Sequence, residues 1–221
     1  MLSRVVDALG ELNEVVVYVG GAVVQLYSDN RVMPDPMTTY DIDCIVNITT
    51  YAEFREFEKM LFAKHFSNDT EEGAPICRFL YDGLQVDFMP KTDTGIGKSN
   101  SWYLKGVANK QPYSLGPGRT IFILPVAFYL ASKLEALHSR GGEDYRGAKD
   151  FEDIVFILNT CSTVVDQICS VRDAEVLKFL KQEFSDLCDR DNIQEEVLCA
   201  LPNEDRIEYV LSVLRSIPQA L

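Results

Sequence analysis

Three aspartates in two apolar segments have the types and the spacing of a metal-binding site. Asp41 and Asp43 lie one residue apart in "DIDCIV", and Asp87 lies between Val86 and Phe88. Side chains alternate along a strand, so Asp41 and Asp43 point to one face, where a neighbouring strand could place Asp87. Carboxylate oxygens are hard ligands that suit magnesium or manganese. Two such ions can bridge nucleotide phosphates and activate an attacking hydroxyl, which is the chemistry of phosphoryl or nucleotidyl transfer.

A glycine pair provides a second feature with a chemical use. "EVVVYVG" predicts a strand over residues 14–20, and "AVVQLYSD" predicts a short helix over 22–29, with Gly20 and Gly21 at the turn between them. Glycine lets the backbone approach a ligand closely, and N–H groups at a helix N-terminus attract phosphate oxygens. The pair therefore indicates a phosphate-binding turn. The alternative is that the glycines only allow close packing of the helix.

The rest of the first half predicts the elements that position these residues. The aspartate strand covers about 40–48, and an amphipathic helix follows it with Thr50 as its N-cap. Two strands joined by the two-residue turn Asp82-Gly83 form a hairpin, and its second strand carries Asp87. The remaining segments are a helix over 2–13, a loop over 30–38 and a strand over 119–125.

After Pro125 the apolar spacing becomes helical almost to the end of the chain. The predicted helices cover 126–139, 148–159, 172–188, 192–200 and 203–216, with a loop over 139–147. We therefore predict an α+β fold with two domains. An α/β domain over residues 1–124 precedes a helical domain over 125–221 that closes the cleft containing the site.

Composition narrows the class of protein. The net charge of −13 argues against an extensive nucleic-acid-binding surface, which would need a basic face. No apolar run approaches the ~20 residues of a membrane span, and charged residues interrupt the N-terminal segment. Six cysteines without a CxxC pair are typical of buried thiols in a reducing compartment. We expect a cytoplasmic protein that does not contact membranes.

In this order, the motifs resemble those of the DNA polymerase β-like nucleotidyltransferase superfamily. Within it, the chain is most similar to the abortive-infection type toxin nucleotidyltransferases and their uncharacterised relatives. The resemblance spans about residues 15–160. It implies a nucleotidyltransferase-type mixed sheet with flanking helices, followed by a C-terminal helical bundle. The residues that carry it are "VGG" (19–21), "GGAVVQLY" (20–27), Thr39, "DIDCIV" (41–46), "VDF" (86–88), "SKLEALHSR" (132–140) and "KDFEDI" (149–154).

The resemblance assigns catalytic and metal-binding roles to the three aspartates. It implies that Asp41 and Asp43 hold Mg²⁺ or Mn²⁺. Asp87 would serve as a further metal ligand or as the base for an acceptor hydroxyl. The substrate implied is a nucleoside triphosphate.

Nucleotide-binding roles follow from the same resemblance. Gly20 and Gly21 would contact the triphosphate, and Thr39 belongs to the same nucleotide-binding set. From the helical half, Lys133 would meet the nucleotide phosphates, and Asp150 would complete the catalytic site.

The residues of the first half also have simpler interpretations. Asp41 and Asp43 alone would suit a solvated strand end, and Asp87 could be a structural carboxylate paired with a cation. The chain also departs from its relatives, which often carry an arginine four residues before the first aspartate. That position is Met37 here, and Arg31 is the candidate replacement.

In the helical half, an ion-pair network is the alternative to direct catalysis. Lys133 and Arg140 lie seven residues apart on one helical face, and Asp150 and Asp153 lie three apart on the next helix. A short loop joins the two helices, so they are expected to be antiparallel neighbours with Asp150 within reach of Lys133. The catalytic interpretation further requires Lys133 to face the aspartates.

The sequence therefore predicts a metal-dependent nucleotidyltransferase. It would move a nucleoside monophosphate from a nucleoside triphosphate to a hydroxyl of a tRNA, a protein or a small molecule. A toxin–antitoxin pair is one expected setting, with an antitoxin protein as the partner. The alternative function is a catalytically silent module of the same fold that binds a nucleotide or a protein partner.

Overall fold

The computed structural model describes residues 1–29, 39–93, 99–140 and 142–221. Of these, residues 1–23 and 39–124 form one compact unit, and residues 24–29 and 125–221 form a second. Residues 24–29 therefore belong with the helical unit, although the sequence places them in the first half. The predicted loop over 30–38, with Arg31 and Met37, lies outside the described residues.

Within the described residues, the first unit contains a seven-stranded mixed sheet with helices beside it. Its strands are β1 Val16–Val19, β2 Asp41–Val46, β3 Ser67–Asn68, β4 Arg78–Tyr81, β5 Leu84–Pro90, β6 Gln111–Ser114 and β7 Thr120–Ile123. Its α-helices are α1 Leu2–Leu9, α2 Tyr51–Ala63 and α3 Tyr103–Ala108. The strand order is β3-β4-β5-β2-β1-β7-β6, with β2–β5 and β1–β7 parallel and the other pairs antiparallel. The predicted α+β fold is confirmed.

The β4–β5 hairpin follows the prediction from its turn. Asp82 and Gly83 have φ values of 48° and 75°, which a two-residue hairpin turn of this kind requires. Because a two-residue turn fixes the register of its strands, Tyr81 pairs with Leu84 and every earlier pair follows. Three residue pairs further from the turn, Arg78 at the start of β4 lies opposite Asp87.

Helix α2 begins at the predicted cap and covers the apolar face of the sheet. The Thr50 hydroxyl accepts a hydrogen bond from the Glu53 amide at 3.2 Å, and the Glu53 carboxylate accepts one from the Thr50 amide at 3.1 Å. On the buried side of α2, the ring of Phe57 lies 5.3 Å from that of Phe88 in an edge-to-face contact. Since side chains alternate along β5, Asp87 points to the other face.

Two predicted helices of the first half differ from the structure. The helix predicted over 2–13 ends at Leu9, where Gly10 has a φ of 56°, and Gly10–Val15 continues as a 3₁₀-helix. The helix predicted over 22–29 is a 3₁₀-helix over Gly21–Tyr27. Left-handed backbone at Gly10 ends an α-helix because it breaks the repeating hydrogen-bond geometry.

The second unit is a helical bundle, as predicted. Its α-helices are α4 Val126–Arg140, α5 Lys149–Thr160, α6 Val164–Cys169, α7 Ala174–Cys188, α8 Ile193–Ala200 and α9 Ile207–Ala220. Residues Val126–Leu134 of α4 are all buried, and α4 packs against α5, α6 and α7. None of the helices in the described ranges is both long and apolar enough to cross a membrane.

Residues 24–29 join the second unit through specific contacts. The Asp29 carboxylate accepts hydrogen bonds from the Ser162 amide at 2.8 Å and from the Ser162 hydroxyl at 2.6 Å. The ring of Tyr27 lies 4.7 Å from that of Tyr129 on α4. Both aromatic side chains are buried, so this segment contributes to the core of the helical unit.

Candidate active site

The parallel pairing of β2 and β5 brings the three aspartates together on one face of the sheet. Asp43 lies directly opposite Asp87, and Asp41 lies two residues before Asp43 on the same face. One oxygen from each carboxylate lies within 4.8 Å of the others. Cys44 and Phe88 point to the opposite, buried face.

The carboxylate cluster fits a divalent cation. Three convergent carboxylate oxygens are the donor set that hard ions such as Mg²⁺ and Mn²⁺ prefer. Asp41 and Asp43 are half-buried, and Asp87 is buried, so the charges are only partly screened by water. A cation at this position would offset their mutual repulsion.

Thr39 orients the first aspartate of the cluster. Its hydroxyl donates a hydrogen bond of 2.8 Å to Oδ1 of Asp41. The same threonine lies beside Gly21, where an added Cβ would come within 3.3 Å of the Thr39 Cβ. Thr39 and Gly21, both predicted as nucleotide-binding residues, therefore adjoin each other, and Thr39 contacts the carboxylate cluster directly.

Gly20 allows the close approach of the backbone to the second aspartate. Its φ is 70°, a left-handed conformation that favours glycine. A Cβ at this position would lie 2.8 Å from Cγ of Asp43, which is closer than real contacts allow. The glycine that sequence analysis assigns to the triphosphate thus also makes room for an aspartate of the cluster.

Arg78 is a residue of this site that the sequence analysis missed. It lies at the start of β4, opposite Asp87 in the hairpin. Its Nε donates to Oδ1 of Asp87 and its Nη2 donates to Oδ2, both at 2.8 Å. These hydrogen bonds raise the pKa of the Arg78 guanidinium above its usual value, and the charges of Asp87 and Asp41 act in the same direction. Asp87 therefore forms an ion pair with Arg78 and also belongs to the carboxylate cluster.

The negative charge of the cluster affects the pKa values of two buried cysteines. Burial raises the pKa of the Cys44 thiol well above its ordinary value, and the charges of Asp43 and Asp87 add to the effect. Burial and the charge of Asp87 raise the pKa of Cys77 to about 11. Both thiols therefore stay protonated at neutral pH, in agreement with the interpretation of the cysteines as buried thiols.

In the second unit, the basic and acidic residues that the sequence singled out form an ion-pair network. The Lys133 ammonium lies 3.1 Å from the carboxylate of Asp150 and 2.5 Å from that of Asp153. Arg140 donates to both oxygens of Asp150, at 2.7 and 3.0 Å. Helices α4 and α5 pack against each other, and this contact brings the four residues together.

Burial makes this network costly to disturb. Lys133 is 8% exposed and Asp150 is 4% exposed. Burial opposes the charge on Lys133, but Asp153 and Asp150 outweigh it and raise the lysine pKa. For Asp150, burial is likewise outweighed by Arg140 and Lys133, and the pKa is lowered. The structure thus contains the network that sequence analysis gave as the alternative to direct catalysis, and the nucleotide-binding role of Lys133 stays a prediction.

Comparison with solved structures provides independent information on the fold. The chain is similar to the crystal structure of an antigenic nucleotidyltransferase-like protein from Paracoccidioides brasiliensis. The TM-score is 0.54 with 16% sequence identity, and the alignment covers 90% of each chain. The fold is nucleotidyltransferase-like.

Comparisons at the level of sequence find no relative. No protein-family model matches the chain, and no curated protein matches it. At 16% identity, the structural likeness concerns the fold alone. The assignment of chemistry therefore depends on the site itself.

Proposed function

We propose that the chain is a metal-dependent nucleotidyltransferase that moves a nucleoside monophosphate from a nucleoside triphosphate to an acceptor hydroxyl. The observation that carries this proposal is the convergence of Asp41, Asp43 and Asp87 on one face of a nucleotidyltransferase-like sheet. A solvated strand end would not require a third carboxylate on the neighbouring strand. The convergence supports a shared ligand.

The three carboxylates would hold Mg²⁺ or Mn²⁺. When bound, the ion supplies charge neutralisation for the triphosphate and lowers the pKa of an attacking hydroxyl. Asp87 would also accept a hydrogen bond from the hydroxyl of the acceptor substrate and so orient it. In the reaction, the acceptor hydroxyl would give its proton to Asp87 and its oxygen would form a bond to the α-phosphorus. The bond between that phosphorus and the oxygen that bridges it to the β-phosphorus would break, and pyrophosphate would leave. Thr39 fixes Asp41 for this task through its hydrogen bond.

We propose triphosphate-binding roles for Gly20, Gly21 and Lys133, as the sequence motifs imply. Gly20 and Gly21 allow close approach of the backbone to phosphate oxygens. Lys133 would act as a point charge on the phosphates, and Asp150 would hold the lysine when nucleotide is absent. The Lys133–Asp150 distance of 3.1 Å supports the second part of this assignment.

The acceptor would be a tRNA, a protein or a small molecule, and the net charge of −13 favours the last two. A role as the toxin of a toxin–antitoxin pair in the cytoplasm is the biological setting that fits the sequence motifs. The second candidate function is a silent nucleotide-binding module. The bidentate Arg78–Asp87 pair favours this alternative, because it already provides Asp87 with a cation.

Transfer of label tests the two functions against each other. Each nucleoside triphosphate, labelled at the α-phosphate, is incubated with the protein and a cell lysate in the presence of Mg²⁺ or Mn²⁺. Digestion of the products with nuclease or protease then separates RNA, protein and small-molecule acceptors. The proposal expects label in one of these fractions with the wild type, and none with EDTA or with Asp43→Asn.

A control variant shows that the loss is specific to the cluster. Asp7→Asn removes one carboxylate from an exposed ion pair with Arg119 on the same unit and should transfer label like the wild type. Absence of transfer with the wild type under every nucleotide and metal, while nucleotide still binds, would establish the silent module instead.

A further inference from the structure

The Arg78–Asp87 pair occupies both oxygens of a carboxylate that belongs to the metal-binding cluster. Nε and Nη2 of Arg78 each lie 2.8 Å from a separate oxygen of Asp87. The two-residue turn fixes this pairing, because it sets Arg78 opposite Asp87 in the hairpin. The Arg78 side chain is 23% exposed and that of Asp87 is 12% exposed, so the contact is not a loose surface pair.

The same carboxylate also has two anionic neighbours. Asp41, Asp43 and Asp87 place oxygens within 4.8 Å of each other, which is close enough to share one ion. Arg78 supplies one positive charge to three negative ones, and the charge of Asp41 also acts on the guanidinium. The guanidinium therefore does part of what a bound cation would do.

A divalent cation and the guanidinium compete for Asp87 for two reasons. A metal–oxygen bond requires an oxygen lone pair that points to the ion, and the guanidinium takes one of the two lone pairs on each oxygen, so that fewer are left for a cation. In addition, two positive charges near one carboxylate repel each other. Orienting Asp87 alone would require one hydrogen bond to one oxygen. It would require neither contact with both oxygens nor a positive charge beside the cluster.

We propose that Arg78 is a built-in counter-ion of the cluster that competes with the divalent cation for Asp87. Cation binding then moves Asp87 from the guanidinium to the metal, and Arg78 sets the cation concentration at which the site fills. The inference deepens the proposed function and rests on it, because it requires the cluster to bind a divalent cation. No covalent bond changes in this exchange.

Calorimetric titration with Mn²⁺ tests the competition. Arg78→Gln removes the charge and keeps a side chain of similar reach, so it should bind Mn²⁺ at least tenfold more tightly than the wild type. Arg78→Lys keeps the charge without the two-pronged hydrogen bonding and should lie between the two. Electron paramagnetic resonance of free Mn²⁺ gives the same affinities independently.

Arg119 provides a matched control within the same unit. It also forms a bidentate pair, with Nε and Nη2 each 2.7 Å from an oxygen of Asp7, but Asp7 is not part of the cluster. Arg119→Gln therefore removes the same charge and the same hydrogen-bond geometry. Its Mn²⁺ affinity should equal that of the wild type.

A measurement on the wild type covers the case in which Arg78→Gln does not fold. In a ¹⁵N spectrum of the arginine side chains, the Nε–H signal of Arg78, assigned by its loss in Arg78→Lys, should shift as Mg²⁺ is added. The signal of Arg119 should stay in place.

The outcomes separate this inference from the proposed function. If the wild type binds Mn²⁺ and Arg78→Gln binds it equally or more weakly, Arg78 only orients Asp87 and the inference is wrong, while the metal site stands. An unchanged Arg78 signal at saturating Mg²⁺ leads to the same conclusion. If the wild type binds neither ion, with or without nucleoside triphosphate, the inference and the proposed function both fail.

Discussion

At the scale of single residues, the aspartates of the cluster differ in the groups that donate hydrogen bonds to them. Asp87 is paired with Arg78 through two hydrogen bonds, whereas Asp41 accepts one hydrogen bond from the neutral hydroxyl of Thr39. Both also repel the other carboxylates of the cluster. Neutralising one or the other therefore has opposite consequences for the stability of the metal-free protein.

We expect Asp87→Asn to lower the melting temperature in EDTA, because the amide leaves the Arg78 guanidinium without its anion. The free energy of unfolding should fall by about 1–3 kcal/mol. Asp41→Asn should leave the melting temperature unchanged or raise it, because the amide oxygen still accepts from Thr39 while the repulsion is relieved. Thermal melts followed by circular dichroism measure both.

Asp7→Asn is the matched control for Asp87→Asn. It breaks a bidentate pair of the same geometry whose partners, Asp7 and Arg119, are each about half exposed. Such pairs contribute about 0–1 kcal/mol, so the loss should be smaller than for Asp87→Asn. Equal falls in the melting temperature of the two variants would mean that the Arg78–Asp87 pair stabilises the fold no more than an exposed ion pair does.

The position of Arg78 is predictable from the sequence. The Asp82-Gly83 turn is a strong hairpin signal, and a two-residue turn sets Arg78 opposite Asp87 by register alone. The contact of Thr39 with Asp41 could not be predicted, because hydroxyl hydrogen bonds depend on the local path of a loop that has no periodic pattern.

At the scale of elements, the turn after β1 has to bring the backbone against β2. Gly20 has a φ of 70° and lies against Asp43, whereas Gly21 lies beside Thr39 with more room. The two glycines therefore differ in how they tolerate a methyl group, which distinguishes a role at the site from a general need for flexibility.

We expect Gly20→Ala to displace the Asp43 side chain and to weaken Mn²⁺ binding at least tenfold, as measured by calorimetry. Left-handed backbone at alanine costs a further ~1 kcal/mol of folding free energy. Gly21→Ala is the control, and it should keep the Mn²⁺ affinity within about threefold, because its Cβ needs only a small shift of Thr39. Equal effects of the two substitutions would contradict this account of the turn.

The α4–α5 network makes a prediction about pH. Arg140 and Lys133 lower the pKa of Asp150 in the folded protein against the effect of burial. A group with a lowered folded pKa contributes stability above its unfolded pKa of about 3.9, and this contribution is lost as the pH falls through the folded pKa. Asp150→Asn should therefore melt at a lower temperature than the wild type at pH 7, and the difference should shrink below about pH 4.

The control for this prediction is an exposed aspartate with the same kind of partner. Arg146 lowers the pKa of Asp144 to about 2, but both side chains are about half exposed. Asp144→Asn should change the melting temperature little at pH 7. A difference between wild type and Asp150→Asn that is as large at pH 3 as at pH 7 would show that the destabilisation comes from packing instead of charge.

Short elements were the ones that the sequence did not predict. The strands β3 and β6 and the helices α3 and α6 span between two and six residues, too few for an apolar period to appear. Strand β6 also contains Pro112, which normally argues against a strand and is tolerated here because β6 lies at the edge of the sheet. The long helices of the second unit were predicted within a few residues because their apolar faces repeat over several turns.

At the scale of the whole molecule, contacts between residues distant in sequence determine which segments belong to each unit. Residues 24–29 join the helical unit through Asp29 and Tyr27, which contact Ser162 and Tyr129. Local sequence patterns assign a short segment to the same unit as its neighbours along the chain. They could therefore not predict that residues 24–29 join the helical unit. They did find the order of the motifs, because glycine and aspartate at strand ends are local signals.

We expect the cluster of Asp41, Asp43 and Asp87 to bind a nucleoside triphosphate through a divalent cation. Calorimetric titration with non-hydrolysable analogues of the four nucleoside triphosphates tests it most directly. Each analogue is added to the wild type, to Asp43→Asn and to the control Asp7→Asn, with Mn²⁺ or with EDTA.

One or more analogues should bind the wild type and Asp7→Asn in Mn²⁺. In EDTA, and in Asp43→Asn, the same binding should weaken at least tenfold, which corresponds to about 1.4 kcal/mol. Binding of equal strength in Mn²⁺, in EDTA and in Asp43→Asn, or no binding of any analogue to the wild type, would contradict the claim.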